Sequence, residues 1–247
     1  MPKLTVTVIT RNESANILPA LESVSWADEV VVIDANSTDD TVVLARQRTG
    51  RVFVRDWPGY SAQKNFAAEQ ASHDWILSLD ADERVTPALA GEIQSLLGDE
   101  PPARGYRIPR VSYYLGRWIR STDWYPDFQL RLYDRRVSTW AGAVHEGVEV
   151  KGAVGRLRSH LEHRPYRDIS HHLLTIDRYT TLAAQQMRER GKTVGVAGVA
   201  FRPVGAFLRN YLVRGGWRDG SVGFVVSVLN SYYVFLKFAK LWELGRK

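Results

Sequence analysis

The sequence predicts an α/β protein: a mostly parallel, doubly wound sheet with helices on both faces, followed by a helical, amphipathic C-terminal appendage. Three observations carry that expectation. Over the first hundred residues, short β-branched or apolar runs alternate with helical stretches, the pattern of right-handed βαβ units. One run, residues 29–35 (EVVVIDA), is nearly continuous in Val and Ile, as a parallel strand buried on both faces requires. At Gly105 the rhythm changes, and aromatic residues and arginines become frequent.

The elements follow in order. Strands are expected at residues 4–10 (LTVTVIT), 29–35, 52–56 and 75–79. Ser37-Thr38-Asp39-Asp40 reads as a capping-box-like entry to a helix over 41–47. Ser61 reads as the cap of a helix over 62–71, and Thr86-Pro87 as the cap and first turn of one over 88–97. Beyond Gly105, strands over 106–114 and 128–133 flank a loop holding Trp118, Trp124 and Tyr125, and a helix is expected over 170–190. No internal repeat or low-complexity tract occurs.

The chain has 247 residues, 45% of them hydrophobic and 24% charged, which suits one large folded domain or a domain with an appendage. It has no cysteine, so disulfides and thiolate metal sites are excluded. Met1-Pro2-Lys3-Leu4 leads straight into an alternating apolar run without the pattern of a secretory signal, and a cytoplasmic setting is expected. Residues 1–100 carry 8 Lys/Arg against 16 Asp/Glu, whereas residues 101–170 carry 13 against 7 and residues 200–247 carry 8 against 2. An acidic half followed by a basic remainder points to two jobs. The basic part lacks any groove-reading motif, so no specific nucleic-acid partner is expected.

Three polar clusters follow expected strands: Thr10-Arg11-Asn12-Glu13, Asp34-Ala35-Asn36-Ser37 and Asp80-Ala81-Asp82. Ligands of open α/β sheets bind outside the carboxyl ends of the strands, so these clusters should share one crevice. Neither G-x-x-x-x-G-K-[ST] nor a G-x-G-x-x-G after the first strand is present, which argues against a dinucleotide dehydrogenase. The stretch ILSLDADERV crowds Asp80, Asp82 and Glu83 into four positions. A divalent cation such as Mg²⁺ or Mn²⁺ would make that crowding tolerable, since hard cations take oxygen ligands. The plainer alternative is that Asp80 and Asp82 cap the next turn. His160-Leu161-Glu162-His163 and His171-His172 lack the spacing of zinc sites.

Four stretches, VTVITRNESANI (6–17), VVVIDANSTDDTV (30–42), GYSAQKNFAAEQA (59–71) and WILSLDADERV (75–85), together resemble the inverting family 2 glycosyltransferases of GT-A fold. FQLRLYDRR (128–136) and WAGAVHEGVEV (140–150) are similar to the lipopolysaccharide-core β-1,4-glucosyltransferases of that family. The resemblance runs from residue 4 to about residue 165. It implies that residues 1–100 bind a UDP-sugar, through Thr10, Arg11, Glu13, Asp34, Asn36, Lys64 and Asp80. It also implies that Asp82, with Asp80, ligates Mg²⁺ or Mn²⁺ on the diphosphate. Residues 101–194 would bind the acceptor, with Trp124, Arg131 and His145 as candidates. The family's Glu-Asp pair downstream of the metal motif is missing here, which leaves Asp127 and Glu146 as candidate general bases. Glu146 is preferred because His145 adds a second titratable group beside it. Arg131, Arg135 and Arg136 would meet a diphosphate or phosphorylated acceptor, or simply form an exposed arginine strand face.

Residues 220–236 form a 17-residue run without a charge, but its glycines, serines and asparagine make it a poor membrane span. Flanking arginines and lysines interleaved with aromatics suit an in-plane segment of residues 195–247 on an anionic bilayer. The alternative is a core or dimer helix. The expectation is therefore a transferase peripheral to the inner face of the cytoplasmic membrane, moving a sugar, glucose by preference, from a UDP-sugar to a lipid-linked saccharide. A polyprenyl-phosphate glycosyltransferase and a non-catalytic sugar or nucleotide binder are the alternatives.

Overall fold

In the computed structural model, residues 2–142 and 147–246 are described, and the chain divides into two compact units. The first comprises Met1–Arg110 and Phe128–His163, the second Val111–Asp127 and Arg164–Lys247. The chain passes between the units after residues 110, 127 and 163, whereas the expected boundaries fall at residues 100 and 194.

The first unit runs β1 (Leu4–Thr10), α1 (Ile17–Glu22), β2 (Glu29–Asp34), α2 (Thr41–Arg46), β3 (Val52–Val54), α3 (Tyr60–Gln70), β4 (Trp75–Asp80), β5 (Glu83–Val85) and α4 (Pro87–Gly98). Strand β6 (Gly105–Tyr114) begins in this unit and leads into β7 (Arg117–Ile119) of the other. The chain returns to the first unit with β8 (Asp127–Asp134), whose residues from Phe128 belong there, β9 (Ser138–Ala141), β10 (Gly147–Val150), β11 (Val154–Arg156) and β12 (Leu161–His163). The sheet order is β3-β2-β1-β4-β8-β6-β12-β5. β1, β2, β3 and β4 are mutually parallel.

The continuous Val/Ile runs are explained by two hydrophobic clusters on opposite faces. Val6, Val8, Val32, Leu77 and Leu79 pack with Ile17, Leu21, Leu89 and Ile93 of α1 and α4. Ile9, Val31 and Ile33 pack with Ala67 of α3. Each fully buried Val, Leu or Ile contributes about 1.5–3 kcal/mol.

Several local expectations fail because another partner claims the side chain. Ser61 lies inside α3 and donates to the Gly142 carbonyl at 2.5 Å, while Gly59, at φ 107°, precedes the helix. Ser37 bonds to Asp34 rather than capping α2. Thr86 does cap α4, accepting from the Leu89 N–H at 3.1 Å. The sheet is also more mixed than expected, because β8 joins antiparallel to β4, and β12 antiparallel to β5.

The second unit holds the β6–β7 hairpin end, α5 (Ile169–Glu189), α6 (Val196–Leu208) and α7 (Gly220–Leu244). Helix α7 packs along both α5 and α6. A π-turn at Arg209–Val213 and a short turn at Gly216–Asp219 bring α6 round to α7. Here glycine is required by close approach: a Cβ on Gly223 would lie 1.9 Å from the Gly216 carbonyl oxygen.

Candidate active site

Strand register brings the polar strand ends together. Thr10 pairs with Asp34 across β1 and β2, and Ile9 with Asp80 across β1 and β4. The chain leaves β1 toward β2 and β3 on one side and reaches β4 on the other, so the strand order reverses at β1. That reversal is where open sheets bind ligands.

The loops after β1 and β2 are laced to each other. The Asn12 N–H donates to Ser37 Oγ and Asn12 Oδ1 accepts from the Thr38 N–H, both at 2.8 Å. The Glu13 N–H donates to Thr41 Oγ1 at 2.8 Å, and Glu13 Oε2 accepts from Asn16 Nδ2 at 2.8 Å. Asn12 and Asn36 adopt left-handed backbone, at φ 54° and 53°, which asparagine tolerates better than most residues. Asp34 is fully buried and accepts from the Ser37 N–H and hydroxyl, at 2.8 and 2.5 Å. Asn36 donates to Asp56 at 2.7 Å, and Arg11 is exposed. Thr10 Oγ1 and both amide atoms of Gln63 are buried without a partner among the described residues.

Beside these loops lies a buried charge cluster. Asp80 Oδ2 is 2.5 Å from the Arg131 guanidinium, and Asp80 Oδ1 is 3.0 Å from Lys64 Nζ. Glu83 is fully buried and accepts from Arg131 at 2.7 Å, from Arg110 at 2.9 Å and from the Asp80 N–H at 3.0 Å. Burial alone would raise the Asp80 pKa, but Arg131 and then Lys64 outweigh it and hold the carboxyl well below the usual range. Burial pulls the Lys64 ammonium below its ordinary value, opposed by Asp80. Lys64 also sits 4.4 Å from the Trp140 ring centroid, a cation–π contact. Two carboxylates thus face three cations within the fold. The crowding of ILSLDADERV is relieved by the protein's own side chains, without requiring a metal ion. Asp82 stands apart from this exchange, with 24% of its side chain exposed and Oδ2 3.3 Å from His163 Nε2. Among the described residues, no three or more His, Asp and Glu side chains are arranged to hold a metal ion.

The arginine expectations are corrected. Arg131 is 4% exposed and committed to Asp80 and Glu83. Arg135 donates to the Ala68 and Ala71 carbonyls at the end of α3, and Arg136 pairs with Asp134 and Asp74. They therefore do not form a free arginine face. Asp127 opens β8 and belongs to the second unit, like Trp124, which ends the short turn Thr122–Trp124 and whose Nε1 donates to Asn230 Oδ1 at 3.2 Å. His145 and Glu146 lie outside the described residues. Sequence reasoning missed Glu83, Arg110 and His163 as partners of the site. Glu83 was signalled only by its place in the acidic stretch.

Residues 5–150, more than half of the chain, match the family described as Glycosyl transferase family 2. The chain belongs to glycosyltransferase family 2. This glycosyltransferase is 34% identical over 254 residues to the lipopolysaccharide core biosynthesis glycosyltransferase LpsC of Rhizobium meliloti, with 98% of this chain and 94% of the relative covered. It is 30% identical to an uncharacterized glycosyltransferase of Rickettsia prowazekii, covering 100% of this chain and 89% of that one. Among solved structures it is similar to a Mycobacterium tuberculosis glucosyl-3-phosphoglycerate synthase in complex with Mg²⁺ and uridine diphosphate. That likeness has a TM-score of 0.50 at 16% identity, covering 80% of this chain and 82% of the other. At such identity it speaks for the GT-A-type fold alone.

Proposed function

We propose that this glycosyltransferase moves a sugar, glucose by preference, from a UDP-sugar to a membrane-associated saccharide such as lipopolysaccharide core, with inversion at the anomeric carbon. The donor half of that reading rests on one observation, the in-register convergence of Thr10, Asp34 and Asp80 at the reversal of strand order. The acceptor half is supported by the near full-length likeness to a lipopolysaccharide-core relative.

In this reading Asp34 and Glu13 accept hydrogen bonds from the uracil and ribose, beside Thr10, Arg11 and Asn36. Asp80, kept ionised and fixed by Arg131 and Lys64, accepts from a ribose hydroxyl. The surplus positive charge of the buried cluster favours the diphosphate. The oxygen donors of Asp82, and secondarily Asp80, suit Mg²⁺ or Mn²⁺, which usually bridges one or two carboxylates to substrate phosphates. Such an ion, when bound, neutralises the departing diphosphate, worth several kcal/mol. A carboxylate base, Asp127 or the preferred Glu146, takes the proton from the acceptor hydroxyl. That oxygen attacks the anomeric carbon opposite the leaving group, and the bond to UDP breaks in one displacement.

The second unit supports membrane docking. Phe201, Val204 and Leu208 of α6 recur at helical spacing on its surface, Phe201 being 74% exposed, and Val213 beyond them is 81% exposed. Phe224, Val228, Tyr232 and Phe235 make a similar exposed stripe on α7. Arg202, Arg209, Arg214 and Arg218 lie among these residues, and each basic group near an anionic surface contributes about 1 kcal/mol. Gly216–Leu244 is long and apolar enough to cross a membrane. Packing along α5 and α6, and the polar Asn230 and Ser227 within it, favour lying on the bilayer instead. The long helix keeps a polyprenyl-phosphate acceptor as the second reading, and product analysis with both acceptors separates the two.

Isothermal titration of UDP with and without Mn²⁺, on wild type and Asp82→Asn, tests the donor site. Metal-dependent binding lost in the variant is expected. Absence of UDP binding under both conditions sinks the reading.

A further inference from the structure

The second unit carries a half-open pocket of about 210 Å³ lined by Trp124, Tyr166, His172, Tyr179, Tyr233 and Asn230, with Thr175 and two aliphatic side chains completing it. We propose that this cavity is a saccharide subsite that holds one pyranose ring of the acceptor. The proposal rests on the acceptor reading above and adds a location to it.

Four features point to a sugar ring. First, the lining is aromatic, and the negative faces of Trp and Tyr rings attract the partly positive C–H groups of a pyranose. Second, no lining side chain is an acid or a permanent cation, so a phosphate or carboxylate finds no counter-charge there. Third, the amide of Asn230, the hydroxyl of Thr175 and the tyrosine hydroxyls are few, polar and directional, the pattern that orients a ligand in an apolar pocket. Fourth, the volume falls below the about 300 Å³ at which drug-sized pockets begin, and suits a single ring.

The walls are built rather than incidental. Tyr166 stacks on His172 at 3.8 Å between ring centroids, and His172 Nδ1 lies 3.1 Å from the Tyr114 hydroxyl. Trp124 Nε1 donates to Asn230 Oδ1 at 3.2 Å, and Asn230 Nδ2 donates to Asn210 Oδ1 at 3.0 Å. Asn210 Oδ1 also accepts from the Asp123 N–H at 2.9 Å. The side chains that face a sugar are therefore held before it arrives, which lowers the entropic cost of binding. Burial keeps the His172 imidazole down to about 4, so this wall stays uncharged at neutral pH.

The cavity shares its unit with a candidate base. Trp124 and Asp127 are three residues apart in one unit, so their Cα atoms are at most about 11 Å apart. The Trp124 loop, including Thr122 at φ 62°, is tied to the C-terminal helices through Ser121 Oγ, which donates to Asp219 at 2.5 Å. The helices of the second unit thus support acceptor recognition as well as any membrane contact.

The test uses the full chain and methyl glycosides of glucose, galactose and mannose as probes, read by saturation-transfer NMR. UDP titration with Mn²⁺ runs in parallel. At least one glycoside should receive saturation, and Tyr233→Ala should reduce that signal about tenfold. Thr175→Trp, which fills the cavity instead of emptying it, should abolish the signal. Both variants should leave UDP binding unchanged, and Tyr233→Phe should retain the signal. No glycoside binding in wild type, or equal binding in the Thr175→Trp protein, overturns the proposal. Binding of decanoate in place of the glycosides also overturns it and assigns the cavity to an acyl chain. Loss of UDP binding in wild type with glycoside binding intact overturns the donor reading and leaves the subsite standing.

Discussion

The two units solve the problem of buried polarity differently. In the first, Asp80 and Glu83 are answered by Lys64, Arg110 and Arg131, so charge meets charge at the ends of strands. In the second, His172, Tyr114, Asn210 and Asn230 are answered by hydroxyls, amides and ring faces. A charged site suits an anionic nucleotide, whereas a neutral aromatic one suits an uncharged ring. On the reading proposed above, the first site would serve the donor and the second the acceptor.

The strongest way to break the contrast is to remove one member of the charge cluster. Arg131→Met leaves Asp80 and Glu83 short of a partner and should cost about 3–5 kcal/mol of stability, read by chemical denaturation. A loss below about 1 kcal/mol would mean that the buried carboxylates carry no net charge. Next comes Asp82→Asn, which keeps that cluster intact and should cut turnover by about 10²–10³ while leaving the thermal midpoint in place. Unchanged turnover would remove Asp82 from the site.

Acid sharpens the comparison because the two units should weaken in different windows. Burial alone would raise the Glu29 carboxyl, but hydrogen bonds from Thr5, Ser72 and Arg51 outweigh it and hold the group at about 2 against an ordinary 4.5. A lowered acid contributes its stability above the unfolded value and loses it as pH falls through the folded one. The Glu29 contribution should therefore fade between about pH 4.5 and 2, and Glu29→Gln should flatten that limb. His172 is held to about 4 against 6.5 by burial, with His171 adding to it. Here the unfolded chain takes a proton that the folded one refuses, so stability should fall already between about pH 6.5 and 4. Denaturation series on His172→Phe and wild type check this, and identical slopes in that window would refute it.

A smaller effect concerns the surface of the second unit. Val213→Glu should lower partitioning to anionic vesicles several-fold and to neutral ones by a smaller factor, and unchanged partitioning to both would remove Val213 from the docking face. The smallest is Thr86→Ala, which should cost about 1 kcal/mol through loss of the α4 cap.

What was legible in the sequence was local. The Val/Ile runs gave the parallel strands and their two-sided burial, and Thr86-Pro87 marked a real helix start. The acidic cluster was visible, but its partners were not, because Arg131 lies 51 residues from Asp80 and only β8 insertion brings it there. Strands of three or four residues, such as β5 and β12, are too short for periodicity to register. Ser37 and Ser61 had the chemistry of caps but were taken by Asp34, three residues back, and by Gly142, far along the chain, so cap chemistry alone did not decide their partners. The turn chemistry of Asn12 and Asn36, both left-handed, carried no residue-type signal strong enough to separate it from ordinary loop.

The interleaving of the two units has a consequence for the chain during synthesis. Residues 111–127 belong with α5, α6 and α7, yet they leave the ribosome before residues 128–163, which the first unit needs to finish its sheet. At about 5–20 residues per second, Trp124 waits on the order of ten seconds for the helix that carries Asn230. The first unit can close only once residue 163 is made, and until the C-terminal helices follow, a hairpin rich in aromatic side chains stands without its cover. A nascent chain of this topology therefore carries its aromatic-rich hairpin uncovered through the middle of translation, the kind of exposed apolar surface that makes partly folded chains prone to aggregation.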